Sequence, residues 1–564
     1  MNLKAKPFYL SDEDEAWVRS ALDSMTEEEK VSQLFCLIAY SSEEGYLNFL
    51  ARELKIGGIM CRTMPSDEVI ETVSRIQSAS RIPMLIAANL EAGGNGVSTE
   101  GTRLGCEMAI AAANDIRFAR SLGEICGKEG SALGVNWAFA PIVDIDMNFR
   151  NPITNTRTFG ADPETVAALG VEYIREIQSH GVAAAAKHFP GDGVDERDQH
   201  LVSTVNSLSC EEWDKTYGMI YRSCIDAGVK TVMVGHILQP AWSKALAPDI
   251  KDEDILPASL SPEIVTGLLK EKLGFNGLVI TDSTTMAGLA SAMERKKAVP
   301  QAIAAGCDMF LFTKNLEEDM GFMLQGVKDG VITKERLDDA VTKILALKAS
   351  LQLHKKSNIP DPEEVKLVVG NADFKALAYE CADASITLVK NKQEVLPISP
   401  EKYKRVLFYS IQSDEGQMGY GVDSSANGHF MEKLRNCGFE VTEFVPKPGF
   451  EGMMTSSEEI KNNYDLIIYS ANMATKSNQT VVRIEWCQPM GANVPTYMHS
   501  VPTIFVSLEN PYHLLDAPRV KTYINTYGST DIILDSLIEK LTGKSPFKGS
   551  SPVDAFCGKW DTKL

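Results

Sequence analysis

Several things are scarce in this chain. Its eleven cysteines include no Cys-x-x-Cys pair and no zinc-ligand spacing. Cys36, Cys224 and Cys307 lie inside apolar segments. That excludes a disulfide scaffold and a zinc module, and fits reduced thiols in a core. No stretch approaches the ~18 consecutive apolar residues that span a bilayer. The first residues, MNLKAKPFYLSDEDEAW, lack the uninterrupted apolar core of an export signal. Cations are outnumbered, 56 Lys and Arg against 76 Asp and Glu, for a formal net charge of -20 and a pI near 5.0. Such an excess repels phosphate backbones and anionic lipid, so neither nucleic acid nor a membrane is an expected partner. The expectation is a cytoplasmic protein acting on a small molecule, in an oligomeric state that the sequence leaves open.

What is present is ordinary globular material, 44% hydrophobic and 23% charged over 564 residues, too long for one core and so expected to form two domains. No internal repeat or low-complexity tract interrupts it. Eight short apolar runs alternate with amphipathic segments: Gln33–Tyr40, Ile56–Met60, Met84–Asn89, Asn136–Ile145, Val182–Pro190, Thr231–Ile237, Leu278–Asp282 and Met309–Thr313. Continuously apolar strands separated by helices predict a parallel sheet covered on both faces, and eight of them predict a closed (β/α)8 TIM-like barrel. Helix signals fit this. Asp162 and Pro163 open a helix that runs to about Gly181, Ser209 and Glu212 form a capping box, and Ser261 and Pro262 open a helix closing at Gly274. Ser41–Leu54 must supply the first helix from poorly periodic sequence. The polar, twice proline-broken HKKSNIPDPEE reads as a linker. The division is then a barrel over residues 1–353, a linker over 354–370, and a smaller α/β sandwich over 371–564. Strands of the sandwich are expected at Ser385–Lys390, Val406–Ser410, Leu466–Ser470 and Thr503–Ser507.

Histidine is scarce too, with eight in the chain, yet the stretch VAAAAKHFPGDGVDERDQH gathers Lys187, His188, Asp198 and His200 within fourteen residues. A parallel barrel places its chemistry at the C-terminal ends of its strands. Those ends carry Glu91 after the third strand, Asp144 in the fourth, Lys187 and His188 in the fifth, His236 in the sixth and Asp282 in the seventh. Taken singly, Glu91, Asp144 and His236 fit buried structural pairing as well as a direct role. Asp282 is different, because LVITDSTTM sets a lone carboxylate where an apolar strand gives way to small hydroxyl residues, as for a nucleophile on a rigid element. Two chemistries use such a mouth. In one, a carboxylate attacks an anomeric carbon while a second group protonates the leaving oxygen. In the other, His188, His236 and Asp282 ligate a metal that Lys187 helps to bridge. Barrel metallohydrolases add a His-x-His pair on the first strand, and QLFCLIAY has no histidine, so no metal or other cofactor is expected.

The motifs LIAANLEAGG, WAFAPIVDI, RTFGADPE, AAKHFPGDG, DERDQH, LVITDSTTM and SITLVKNKQEVLPI occur in an order and spacing that resemble the family 3 glycoside hydrolases, in their β-N-acetylglucosaminidase branch. The resemblance implies a retaining hydrolase of soluble N-acetylglucosaminides, such as cell-wall fragments or chitin oligosaccharides. It implies Asp282 as the nucleophile and an Asp-x-His dyad, Asp198 and His200, as the proton-transfer group. Lys187, His188 and Arg157 then grip the sugar, with Asn89, Glu91, Asp144 and His236 completing the binding site. An imidazole, whose ordinary pKa is ~6.5, can give and regain a proton at neutral pH while an adjacent carboxylate fixes its tautomer. The chain departs from the branch in three places. Asp-x-Glu-Gly-Gly-Arg becomes Asn89, Leu90, Glu91, Ala92, Gly93 and Gly94, which exchanges an aspartate for Asn89 and loses an arginine. The second histidine of the Lys-His-Phe-Pro-Gly loop is Asp192. Alternatives on the same fold are a β-glucosidase, a β-glycoside phosphorylase and an inactive sugar-binding protein.

Overall fold

The computed structural model describes residues 2–40, 42–412, 425–475, 477–478, 480, 483–486 and 488–564. Contacts divide the chain into two compact units, residues 1–103, 119–148 and 163–375 in one and residues 104–118, 149–162 and 376–564 in the other. All eight apolar runs of the first unit form strands: β1 (Phe35–Ile38), β2 (Gly58–Met60), β3 (Leu85–Ala88), β4 (Trp137–Ala138), β5 (Ala183–Phe189), β6 (Thr231–Val234), β7 (Leu278–Thr281) and β8 (Phe310–Leu311). They pair in parallel in the order β8-β1-β2-β3-β4-β5-β6-β7. A parallel bridge between Ile280 and Met309 joins the two ends of that order. This is the expected (β/α)8 barrel. The strands are mostly apolar because both faces are covered, and every residue of β3 and β5, Lys187 and His188 included, is buried.

Differences from the sequence expectation are local. The run Asn136–Ile145 yields only the two residues of β4 and an isolated bridge from Ile142 to Lys187, because Pro141 has no N–H to give to a ladder. The capping box at Ser209 forms as expected, with Ser209 and Glu212 each bonded to the other's backbone. The helix after Pro262, Glu263–Lys272, is wound as a π-helix, and the first crossover is a short helix, Glu44–Asn48, that runs into a π turn, Phe49–Leu54. Inside the polar segment after the barrel, Pro362–Val368 makes a short helix capped by Asp361, with proline in its first turn where the missing N–H costs nothing.

The second unit is a six-stranded mixed sheet flanked by helices. Its strands are β9 (Thr387–Asn391), β10 (Arg405–Gln412), β11 (Glu440–Glu443), β12 (Leu466–Asn472), β13 (Thr503–Ser507) and β14 (Thr522–Asn525), in the order β9-β14-β13-β12-β10-β11. All pairs are parallel except β9 with β14. Alternation sorts side chains to the two faces. Phe408, Ile468 and Val506 pack with Phe430, Leu434, Leu534 and Leu537 on one, and Tyr409, Tyr469 and Phe505 pack with Leu514 and Val520 on the other. The segment 104–118 contributes the helix Glu107–Ala112, whose Met108 and Ala112 share a cluster with Tyr512, Tyr527 and Val553.

The barrel closes across β7 and β8 with help from side chains. Asp308, fully buried, accepts the Val279 N–H on Oδ2 at 2.9 Å, while its own N–H donates to the Val279 carbonyl at 2.7 Å. Lys270 at 3.1 Å, Lys343 at 3.7 Å and Arg336 surround the carboxylate. Burial raises the Asp308 pKa, but these cations outweigh it and bring it down to about 2. A folded value below the ordinary 3.8 means that this group stabilises the barrel above the usual aspartate range and ceases to as pH falls toward 2. Asp308→Asn strands three cations, and removing one partner of a buried pair costs ~3–5 kcal/mol. Denaturant unfolding at neutral pH is expected to show a loss of that size; a change below about 1 kcal/mol, the level of an exposed pair, would mean that the backbone ladder alone holds the seam.

Candidate functional site

Eight of the residues singled out in the sequence stand at the C-terminal rim of the first unit's barrel, six of them in two tight groups. The end of β5 supplies the first. Lys187, 3% exposed, donates from Nζ to Glu91 Oε1 at 2.6 Å. His188 follows it, and its Nδ1 lies 2.7 Å from Asp144 Oδ2. Asp144 also accepts the His188 backbone N–H at 3.1 Å and the Asp192 N–H at 2.8 Å, so a single buried carboxylate fixes the imidazole and the start of the next loop. With its Nδ1 so engaged, His188 turns Nε2 toward Asp282, 3.8 Å from Oδ2.

Asp282 follows β7. Its N–H continues the ladder to the Val234 carbonyl at 2.8 Å, and its Oδ1 accepts the Ser283 N–H at 2.7 Å. Burial pushes this carboxyl up, but the imidazoles of His188, His236 and His200 and the Ser283 N–H outweigh it, and the pKa lies below the ordinary aspartate value. Asp282 is therefore an anion at neutral pH, one that stabilises the fold above the usual aspartate range and less so as pH falls through its lowered value.

The second group sits on the loop after β5. Gly191 turns the chain at φ +120°, and a Cβ there would lie 2.1 Å from Cδ1 of Tyr217, so glycine is required twice over. Tyr217 donates to the Asp192 carbonyl and Trp213 to the Pro190 carbonyl, which pins the loop to the following helices. Along it, Asp198 Oδ1 meets His200 Nδ1 at 2.6 Å and accepts the His200 N–H at 2.8 Å. Asp198 is buried, while the His200 side chain keeps 25% exposure. A carboxylate on Nδ1 sets the tautomer and leaves Nε2 to exchange protons.

His236 is bonded at both nitrogens, with Nε2 2.9 Å from the Ser283 carbonyl and Nδ1 2.7 Å from Ser259 Oγ. A carbonyl only accepts, so Nε2 carries the proton and Nδ1 accepts from the hydroxyl. Burial holds this imidazole below its ordinary pKa against the pull of Asp282, which keeps it neutral. Ligation of a metal would break one of these bonds, and among the described residues no group of three His, Cys, Asp or Glu side chains is arranged to hold one. Asn89 follows β3 in an exposed position. Arg157 belongs to the second unit, in the short turn Asn155–Arg157, where it donates to the Ile153 carbonyl at 3.2 Å.

The profile of the glycosyl hydrolase family 3 N terminal domain matches residues 26–347. The chain belongs to glycosyl hydrolase family 3. It is 56% identical over 564 residues, the whole of both chains, to the beta-N-acetylglucosaminidase/beta-glucosidase of Cellulomonas fimi. Among solved structures, beta-glucoside phosphorylase BglX superposes with a TM-score of 0.93 and 44% identity, covering 99% of each chain. A family 3 beta-N-acetylglucosaminidase from Paenibacillus sp. str. FPU-7 superposes with a TM-score of 0.79 and 26% identity, over 95% of this chain and 100% of that one.

Within this family 3 barrel the structure adds residues that no sequence signal marked: Gln199, Ser259 and Ser283, which bond to His236, and Tyr217 behind the loop. Their roles come from contacts between loops, which leave no periodicity to read. The geometry around Asp282 makes a prediction. His188 leads the groups that lower its pKa, so in His188→Asn burial goes less opposed and the carboxyl rises. The acid limb of kcat/KM, measured on a dinitrophenyl glycoside that needs no proton from the protein, is expected to move to higher pH. An unmoved limb would mean that Asp282 is not the ionisation that the limb reports.

Proposed function

We propose that this family 3 protein is a retaining exo-β-N-acetylglucosaminidase that cleaves terminal N-acetylglucosamine from soluble glycosides through a covalent glycosyl-enzyme. One observation carries the reading: a carboxylate held ionised, Asp282, and an imidazole oriented by a buried carboxylate, His200 on Asp198, share a barrel rim closely enough for the charge of one to act on the other. On this reading Asp282 attacks the anomeric carbon as the glycosidic C–O bond breaks, and His200 Nε2–H gives its proton to the departing oxygen. Water then loses a proton to Nε2, attacks the same carbon from the opposite face, and releases Asp282. Lys187, Glu91, His188 and Asn89 hold the sugar hydroxyls, with Asp144 fixing His188. His236 backs the Asp282 turn, and Arg157 is kept as a sugar-binding residue on the resemblance alone. The reduced cysteines, ten of them free among the described residues, suit a cytoplasmic role in recycling wall fragments. No helix among the described residues is long and apolar enough to cross a membrane.

A second reading keeps the first step and replaces water by phosphate, or N-acetylglucosamine by glucose. It is favoured by the 44% identity to the phosphorylase across both chains and by the double name of the Cellulomonas relative. Aryl β-glycosides assayed with and without phosphate separate the two. The N-acetylglucosaminide is expected to be the best substrate, with phosphate leaving the rate unchanged. A sugar 1-phosphate as the main product would replace hydrolysis by phosphorolysis, and a better glucoside would move the specificity.

The division of labour is tested separately. A 2-fluorosugar inactivator is expected to label the peptide carrying Asp282. His200→Ala is expected to lose ~100- to 10,000-fold in kcat/KM on a disaccharide, while a dinitrophenyl glycoside, whose leaving group departs unprotonated, keeps most of its glycosylation rate. Equal losses on both substrates would assign the proton to another group.

A further inference from the structure

Gln199 lies between Asp198 and His200 and takes no part in the proton transfers above. It is 1% exposed, and both ends of its amide are engaged. Oε1 accepts the backbone N–H of His236 at 2.7 Å, and Nε2 donates to Asp192 Oδ2 at 3.3 Å. Its backbone carbonyl accepts the Gly288 N–H at 2.9 Å, and the His200 carbonyl accepts the Ala287 N–H at 3.1 Å. There is no slack in this contact. A Cβ on Gly235 would lie 3.1 Å from Gln199 Oε1, and one on Gly288 would lie 2.8 Å from its carbonyl oxygen. His236 passes the constraint on, since its ring bonds the carbonyl of Ser283, whose N–H bonds Asp282.

We propose that Gln199 is a positioning residue: it locks the loop bearing His200 to the ends of β6 and β7, and so sets where the general acid stands relative to the Asp282 nucleophile. This rests on the roles of His200 and Asp282 given under Proposed function. The chemistry needs such a lock, because the nucleophile must reach the anomeric carbon while the acid reaches the oxygen leaving it, and an error of about 1 Å costs on the order of 100-fold. Only an amide fits the place. Its two ends are an acceptor facing an N–H and a donor facing a carboxylate, which an ionised glutamate or a thioether cannot both supply.

Gln199→Met fills the space without either hydrogen bond. Its kcat/KM on the phenyl glycoside is expected to fall about 10- to 100-fold through kcat, with KM little changed, while the dinitrophenyl glycoside stays within about threefold of wild type. In a His200→Ala background the same substitution is expected to cost no more than about threefold, because the residue acts through the imidazole already removed. Gln199→Glu, which keeps the acceptor but not the donor, shows the same pattern and serves if the methionine variant fails to fold. Equal losses on both aglycones, or an undiminished loss in the His200→Ala background, would overturn the proposal in favour of support for Asp282 or the fold at large. If His200→Ala alone shows no dependence on the leaving group, the parent reading fails first and this one with it. That result is read from the single variant and is not confused with the other two.

Discussion

The closure of the barrel between β7 and β8 is the constraint on which the rim depends, and backbone and side chains share it. The backbone contributes a bridge at Ile280 and Met309. Asp308 supplies an acceptor to Val279, and Thr281 Oγ1 accepts the Leu311 N–H at 3.0 Å where a carbonyl would in a regular ladder. Past that point the Thr284 backbone N–H donates to the Leu311 carbonyl at 3.0 Å. Asp282 lies between these ties, with its own N–H on Val234 of β6. Three strands thus hold its backbone, and a carboxylate so placed needs no loop to position it.

Hydrogen-bond bookkeeping separates the groups that hold from the groups that act. Asp144 and Asp282 are both buried carboxylates at strand ends, yet Asp144 spends its oxygens on three N–H donors. Asp282 gives one oxygen to Ser283 and turns the other toward His188. The imidazoles divide the same way. His236 uses both nitrogens on the protein, whereas His200 is anchored at Nδ1 and keeps a partly exposed edge. In sequence, Asp144 and His236 fit a structural role as well as a direct one. Their saturation by fixed partners sets them apart.

The barrel was legible because its strands are mostly apolar runs, which is what burial on both faces requires. Where that logic stops, so does legibility. β11 (EVTE) has no apolar run to announce it, and β14 (TYIN) is four residues long with polar ends, so neither was expected. The helix Glu107–Ala112 falls within the range assigned to the barrel in sequence, yet packs in a cluster with Tyr512 and Val553, a pairing across some 400 residues that no local pattern encodes. At the site, strand-end residues were visible from the barrel rule alone. Gln199 and Ser259 were not, because what defines them is the backbone N–H and the imidazole they meet in space.

The choice of an imidazole acid also suits the charge of this rim, on the reading proposed here. Before glycosylation the pair is a carboxylate and an imidazolium; afterwards it is an ester and a neutral imidazole. Its net charge is zero throughout, whereas a carboxylic acid in the same place would keep the pair at one negative charge in both states. Glu91, Asp144, Asp192 and Asp198 already crowd this barrel with carboxylates, and the chain as a whole carries -20. Another anion would be stabilised poorly among them. A cation that vanishes together with the nucleophile's charge relieves this: the imidazolium favours the Asp282 anion, and that contribution lapses when the bond to the sugar forms.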